Sequence, residues 1–318
     1  MRRSQSQDFA SAAMVRLLAR GMHALGMKLP ATFDQLHEAT VPLDLKRHVV
    51  QAAFEQGGIV CLPLLGRGLH ELAMEPTQLA LTAGRNASAL WVRWQRLERY
   101  IHSRHRIQVM DSSEIDAKVM HKHKNQGPPP LPFEDLVVCG VLCALLEANG
   151  LQSVRAYAAG EELYPNPVAE ALENCIRKGE TGTWNFSWEK PAQPSSGLDI
   201  SVSWGQVMPT SWSQLAGKIG EMIAQQLPYL LSLDQAAASL GLARRSFQRA
   251  LAAEGLSYTQ LLAEVRFRLA GWYLLHGDIS IAEVGFVCGY ADQAHLTREF
   301  NRRVGLPPAR YRDLFSMV

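Results

Sequence analysis

A repeat near the C-terminus constrains the fold of this 318-residue chain more than any other feature. The first copy runs from Leu231 to Leu256, LSLDQAAASLGLARRSFQRALAAEGL. The second runs from Ile279 to Leu306, ISIAEVGFVCGYADQAHLTREFNRRVGL. Ser232 aligns with Ser280, Gly241 with Gly289, Phe247-Gln248-Arg249 with Leu296-Thr297-Arg298, and Gly255-Leu256 with Gly305-Leu306. The offset stays between 48 and 50 residues, so the copies are in register.

Each copy reads as helix, turn, helix. Ser232 with Gln235, and Ser280 with Glu283, have the spacing of a capping box, which starts a helix by satisfying its first amides. Small residues follow (Ala236, Ala237 and Ala238; Ala282 and Gly285) and admit a second helix at close range. Gly241 and Gly289 stand where the chain must turn, and glycine takes positive φ at no steric cost. The second helix of each copy then crosses the first steeply and shows its outer face. Phe247 with Ala250 and Leu251, and Leu296 with Phe300, have core spacing. That leaves Arg244, Arg245, Gln248 and Arg249, then Gln293, Ala294, Thr297 and Arg298, pointing outward. Arginine matches guanine edges, glutamine matches adenine, and threonine bonds bases or meets a thymine methyl. The intervening run predicts one helix over Tyr258–Leu275, about 27 Å long at 1.5 Å per residue. Such a spacer suits two reading helices about 34 Å apart, one DNA turn, on one face of the duplex.

Residues 225–318 resemble the DNA-binding domain of AraC/XylS-type transcription regulators. The second copy carries the resemblance over its whole length: the Gly289-Tyr290 turn, the Phe300 anchor, and the closing Gly-x-Pro-Pro-x-x-Tyr-Arg of Gly305 to Arg312. The resemblance implies DNA contacts from Arg244, Arg245, Gln248 and Arg249 in one recognition helix. In the other it implies Gln293, Ala294, Thr297 and Arg298. Ala294 departs from the polar residue often found there, and no hydrogen bond is expected from it. Promoter DNA is the implied partner, with RNA polymerase a second one if the protein activates transcription.

Composition agrees. The net charge is +2, so the molecule is no polycation. Residues 225–318 hold ten Arg, no Lys and eight acids; arginine alone suits bidentate contacts to bases and phosphates. No stretch has the 18 or more apolar residues that a membrane span needs. The N-terminus lacks the apolar core and cleavage site of a signal peptide. The five cysteines form no C-x-x-C pair, which fits reduced thiols and a cytoplasmic setting.

The expected architecture has two domains. Residues 1–210 form a mixed α+β effector or dimerisation domain, 211–227 a linker helix, and 228–318 an all-α domain with two helix–turn–helix motifs joined by a long helix. PAQPSSG, residues 191–197, reads as a loop. Helical periods fall near Phe9–Leu25, Leu43–Glu55, Asn86–His102, Phe133–Asn149 and Val168–Lys178. β-like runs fall at Ile107–Asp111, Lys118–Lys122, Val154–Ala158 and Trp184–Trp188. This order of elements resembles the effector domain, arabinose-binding-like, of one branch of the same family. That resemblance implies a small-molecule effector and leaves the ligand open; the alternative reading is a ligand-independent regulator whose N-terminal domain forms a homodimer or binds a protein partner.

Several features outside the repeat invite a functional reading and a blander one. His121 and His123, near His102 and His105, suit a metal site or pH sensor; a solvated edge strand is favoured, with lysines that discourage edge pairing. Cys139 and Cys143 suit a redox sensor; buried small hydrophobes are favoured. Arg93, Arg96, Arg99, Arg104 and Arg106 suit an anion clamp; an amphipathic helix with a solvated basic face is favoured. Trp184 and Trp188 are read on one strand face with Phe186 opposite, as core before ligand pocket. GRGLHE, residues 66–71, lacks the spacing of a phosphate cradle, and no G-x-S-x-G, H-E-x-x-H or P-loop is present. Some relatives of this type carry a methyl-accepting cysteine domain, which would need clustered N-terminal cysteines, absent here. Neither an enzyme nor a cofactor or metal is therefore expected.

Overall fold

The structure, a computed structural model, describes residues 8–30, 40–71, 76–82, 86–101, 104–125, 127–189, 204–209, 211–228 and 230–316. In chain order the elements are β1 (Phe9–Ser11), α1 (Ala12–Ala24), β2 (Thr40–Pro42), α2 (Leu43–Gly57), a 3₁₀ helix (Ile59–Glu71), α3 (Pro76–Thr82), α4 (Ala87–Ile101), β3 (His105–Ser112), β4 (Asp116–His123), α5 (Pro132–Ala148), β5 (Gln152–Ala158), β6 (Glu161–Tyr164), α6 (Ala169–Lys178) and β7 (Thr183–Glu189). Only helices follow: α7 (Trp204–Val207), α8 (Gln214–Gln226), α9 (Leu233–Ser239), α10 (Arg244–Ala253), α11 (Tyr258–His276), α12 (Ile281–Val287), α13 (Gln293–Val304) and α14 (Pro308–Phe315). They divide into two compact units. Met1–Glu71 with Leu81–Ser196 makes the α+β unit, and Leu72–Ala80 with Gly197–Val318 makes the helical one.

The α+β unit is built around α5. From Leu136 to Leu146 every residue of α5 is buried, the pattern of a helix enclosed on all sides. Its partners include the 3₁₀ helix, α2, α4, β5 and β6. The five-stranded antiparallel sheet has the order β3-β4-β7-β5-β6, and β1 pairs separately with β2. On the sheet's buried face lie Ala117, Val119 and His121 of β4, and Val154, Ala156 and Ala158 of β5. The polar face carries Lys118, Lys122 and Asn185. This one-sided burial is usual for an antiparallel sheet.

Two expectations are corrected here. Trp184, Phe186 and Trp188 are all buried on one face, because side chains two apart in a strand point the same way; Phe186 is not opposite. His121 is not on a solvated edge. β4 lies between β3 and β7, and His121 is buried with Nδ1 2.8 Å from Asp135 Oδ1. Thr181 donates to the other Asp135 oxygen at 2.6 Å, and the Trp184 indole donates to the Thr181 carbonyl at 2.7 Å. His123 is half-buried and accepts from the Asn125 and Gly127 amides through Nδ1. His102 and the 191–197 loop lie outside the described residues. Cys139 and Cys143 are fully buried in α5, where burial pushes the Cys143 thiol well above its ordinary range. Among the described residues no three His, Cys, Asp or Glu side chains come together in a way that could hold a metal ion. No single helix among them is long and apolar enough to cross a membrane.

The Gly-rich run at 66–71 is a packing device. In a 3₁₀ helix, residues three apart share a face. Pro63 and Gly66 meet α5, where a Cβ on Gly140 would sink into the Pro63 carbonyl and one on Gly66 into the Gly140 carbonyl. Leu65 and Gly68 meet α1, where a Cβ on Gly21 would strike Leu65 backbone and one on Gly68 would strike Gly21 and Leu17 backbone. Two rows of contacts thus clamp the 3₁₀ helix between α1 and α5.

The helical unit includes α8, expected as a linker. Ser213 caps α8 by accepting from the Ala216 amide at 3.1 Å. The helix packs on α11; its Gly220 leaves no room for a Cβ beside Trp204 and Trp212.

Candidate nucleic-acid interface

The two helix pairs α9–α10 and α12–α13 begin with the same local chemistry. Ser232 accepts from the Gln235 amide at 3.2 Å while Gln235 Oε1 accepts from the Ser232 amide at 2.9 Å. Ser280 and Glu283 repeat the exchange at 3.2 and 2.6 Å. The turn glycines have the left-handed backbone, φ +67° at Gly241 and +71° at Gly289. Gly289 is also crowded, with Leu227, Leu230 and the Pro228 carbonyl within reach of a Cβ. Of the small residues in the first helices, Ala236, Ala237 and Gly285 are buried at the helix crossing, whereas Ala238 and Ala282 face solvent.

The second helix of each pair has one apolar face and one solvated face. Phe247 and Leu251 anchor α10; Leu296, Phe300 and Val304 anchor α13. Arg244, Arg245, Gln248 and Arg249 are exposed on α10, and Gln293, Ala294 and Arg298 on α13. Thr297 is half-buried and its hydroxyl donates to the Gln293 carbonyl at 2.8 Å. Only its methyl and oxygen lone pairs remain for another partner. Arg244 pairs with Asp234 of α9 at 3.0 Å; at that exposure the pair adds little stability. Ser246 and Asn301 are exposed on the same helices. Sequence reasoning passed over them because either residue suits any solvated helix face.

Between the pairs, α11 spans 19 residues, about 28 Å at 1.5 Å per residue. Ser257 and Gln260 cap it reciprocally, and most of its length is buried. Near its middle, Glu264 accepts from Arg268 Nε at 2.7 Å and from Arg303 of α13 at 2.7 Å. Burial alone would raise the Glu264 carboxyl, but the two guanidinium groups hold it down at about 2. The Arg303 guanidinium also lies over the Phe267 ring, 4.7 Å from its centroid. Arg266 donates to the Gly289 carbonyl and lies over Tyr290, which braces the second turn against α11. Phe267, Phe300, Tyr311 and Phe315 contact one another in series with centroids 5.0–5.6 Å apart, the first pair tilted and the other two edge to face. The closing Pro-Pro-x-x-Tyr-Arg therefore serves as an anchor: Pro307 and Pro308 start α14, and Tyr311 enters the core.

Residues 236–313 match a family model described as a helix-turn-helix domain. The "Ornithine utilization regulator" of Pseudomonas aeruginosa is 36% identical over 81 residues, 26% of this chain and 24% of the relative. The "Urease operon transcriptional activator" of Escherichia coli is 30% identical over 94 residues, 30% of this chain and 32% of the relative. Residues 236–313 are an AraC/XylS-type helix-turn-helix domain. A solved DNA-binding domain of AdpA, in complex with a target DNA, is 27% identical at a TM-score of 0.29, covering 32% of this chain and 92% of that one. This chain spans about a quarter to a third of the length of the two curated relatives.

Proposed function

We propose that this chain is a sequence-specific DNA-binding transcription regulator, and not an enzyme, whose N-terminal unit senses a small molecule and thereby controls promoter binding. The observation that carries the DNA-reading half is the pair of solvated faces on α10 and α13, each held outward by a buried aromatic anchor. In this reading the helix pairs are two helix–turn–helix units, and α11 sets their recognition helices about one DNA turn apart. Arg244, Arg245, Gln248 and Arg249 then read one stretch of major groove, and Gln293, Thr297 and Arg298 a second, with Ala294 offering only an apolar contact. The names of the curated relatives, a regulator and an activator, support the regulatory role. In the same reading the setting is cytoplasmic, a second copy of the chain is a partner, and RNA polymerase is one if the protein activates. The sensing half is a linkage: the effector must bind two states with different affinity.

The test uses a duplex selected from a random-sequence pool with the full chain. Arg298→Ala is expected to weaken binding by about 1–3 kcal/mol and relax preference at one base pair. Arg249→Ala is expected to do the same about ten base pairs away. Loss of preference at the same base pair in both variants would refute the two-groove reading. Between 50 and 200 mM salt, affinity is expected to fall at least about tenfold, the response of two or more phosphate contacts at about 0.9 per contact on the logarithmic slope. A flat salt response would count against arginine contacts to phosphate.

A further inference from the structure

One contact within the helical unit comes from far outside the helix-turn-helix sequence. Leu72–Ala80 belongs to the helical unit, although Glu71 before it and Leu81 after it belong to the α+β unit. Pro76 opens α3, where its missing N–H costs nothing because a first-turn amide has no partner in its own helix. The proline ring fills the place of a side chain that α11 lacks. The three atoms nearest to a Cβ on Gly271 are Pro76 Cγ at 2.5 Å, Cβ at 2.9 Å and Cα at 3.4 Å. The Pro76 carbonyl accepts the Tyr311 hydroxyl of α14 at 2.6 Å, across 235 positions of chain. Pro76, Gly271 and Tyr311 are all buried, where a hydroxyl needs an acceptor.

Tyr311 leads to the second recognition helix. Its ring meets Phe300, the anchor of α13, edge to face with centroids 5.0 Å apart. Phe300 is fully buried, and in a close-packed interior a displaced ring moves its neighbours. A shift at Pro76 is therefore passed through Tyr311 and Phe300 to α13, and with it to Gln293, Thr297 and Arg298. The first recognition helix is held in a similar way but by a local acceptor. Phe247 of α10 meets Tyr258 of α11 at 6.1 Å, and the Tyr258 hydroxyl donates to the Leu231 carbonyl, just before the cap of α9. That acceptor lies inside the first motif. The acceptor that serves the second motif lies in the segment that joins the α+β unit at both ends.

We propose that Pro76 is a positioning residue for DNA reading: through Tyr311 and Phe300 it sets the outward face of α13, whereas α10 is set within its own motif. This deepens the DNA-reading role proposed above and rests on it. The chain then gives the α+β unit a covalent route to one recognition helix, through Glu71 and Leu81, besides the chain at Ser196 and Gly197. A pull on that segment alters the base pairs read by α13 and spares those read by α10. Arg312 of α14 also donates to the Leu274 carbonyl of α11 at 3.4 Å. With that second tie in place, loss of the Pro76 contact shifts α13 rather than unfolding it.

The experiment uses the full chain and two altered forms of the selected duplex, one changed at the base pair read by Arg298 and one at that read by Arg249. Tyr311→Phe is expected to lower discrimination at the Arg298 base pair about threefold or more, within the range of one neutral hydrogen bond, and to leave the Arg249 base pair as it was. Gly271→Ala is expected to lower it about fivefold or more, the range of overpacking. Alanine is otherwise favoured over glycine inside a helix, so that loss reports the Pro76 contact. Amide hydrogen exchange reads the same variants without DNA: α13 is expected to exchange faster and α10 at the parent rate. Equal losses at both base pairs, or no loss at either, would overturn the proposal, as would exchange that rises equally in α10 and α13. A parent chain that discriminates at neither base pair would overturn the DNA-reading role instead, and faster exchange confined to α13 would then still support its positioning by Pro76. Tyr311→Phe removes a single oxygen, so it carries the test if Gly271→Ala does not fold.

Discussion

Gly140→Ala is expected to destabilise the α+β unit by about 3 kcal/mol or more, the upper end for overpacking a core. The added methyl would occupy the position of the Pro63 carbonyl and its carbon. Neither a rotamer change nor a local shift relieves a clash between backbone and backbone. Relief requires α5 and the 3₁₀ helix to separate, and α5 is buried along its whole middle. The urea midpoint followed by near-ultraviolet circular dichroism measures the loss. Gly160→Ala is the control. Gly160 has φ +84° but nothing within reach of a Cβ, so it costs only the left-handed strain, about 1–2 kcal/mol. Equal losses at the two sites would mean that the helix crossing is looser than described.

Glu264→Ala is expected to cost about 3–5 kcal/mol, the usual penalty for stranding one side of a buried ion pair. The change leaves Arg268 and Arg303, whose side chains are 4% and 9% exposed, without their shared carboxylate. It also removes one of the links between α11 and α13, others being the Arg303 and Phe300 contacts to Phe267, so the outward face of α13 loses a support. The effect depends on pH in a defined direction. The folded-state value of Glu264, about 2, lies below its ordinary 4.5. Its contribution is then complete above pH 4.5 and is lost as pH falls from 4.5 towards 2. At 1.36 kcal/mol per unit the contribution is roughly 3 kcal/mol. The stability gap between the parent chain and Glu264→Gln is expected to be widest at pH 7 and to narrow steadily below pH 4.5. Other carboxylates titrate in that window but cancel in the difference. A gap that does not change with pH would show that the two arginines do not act through the charge of Glu264.

Much of the helical unit was legible because its signals are local. A serine three residues before a glutamine or glutamate forms a capping box wherever it stands, and Ser232 and Ser280 both do. A glycine that must turn the chain shows as a break in helical period, hence Gly241 and Gly289. The helix over Tyr258–Leu275 emerges as Tyr258–His276. What α11 leans on was not legible. Glu264, Arg268 and Arg303 look like ordinary helix-surface charges, and 39 residues separate the carboxylate from its second arginine.

The α+β unit was harder to read because its decisive contacts are distant. The periods near Leu43, Phe133 and Val168 are helices, and the four β-like runs are strands, yet β6 and the 3₁₀ helix left no period of 2 or 3.6. The lysines beside His121 suggested an edge. The order β3-β4-β7 instead turned His121 inward onto Asp135.

The sequence alone determined where helices start and turn, which residues of α10 and α13 are apolar and which are polar, and that the region has the AraC/XylS type. These depend on neighbours within a few residues, where backbone geometry leaves little choice. Tertiary structure decided that Gly66, Gly68 and Gly140 are contact points rather than a ligand loop, and that His121 turns inward onto Asp135. Those outcomes depend on which elements pack together, and packing is a property of the whole unit: a glycine or a histidine carries no local mark of the backbone or the carboxylate it will face.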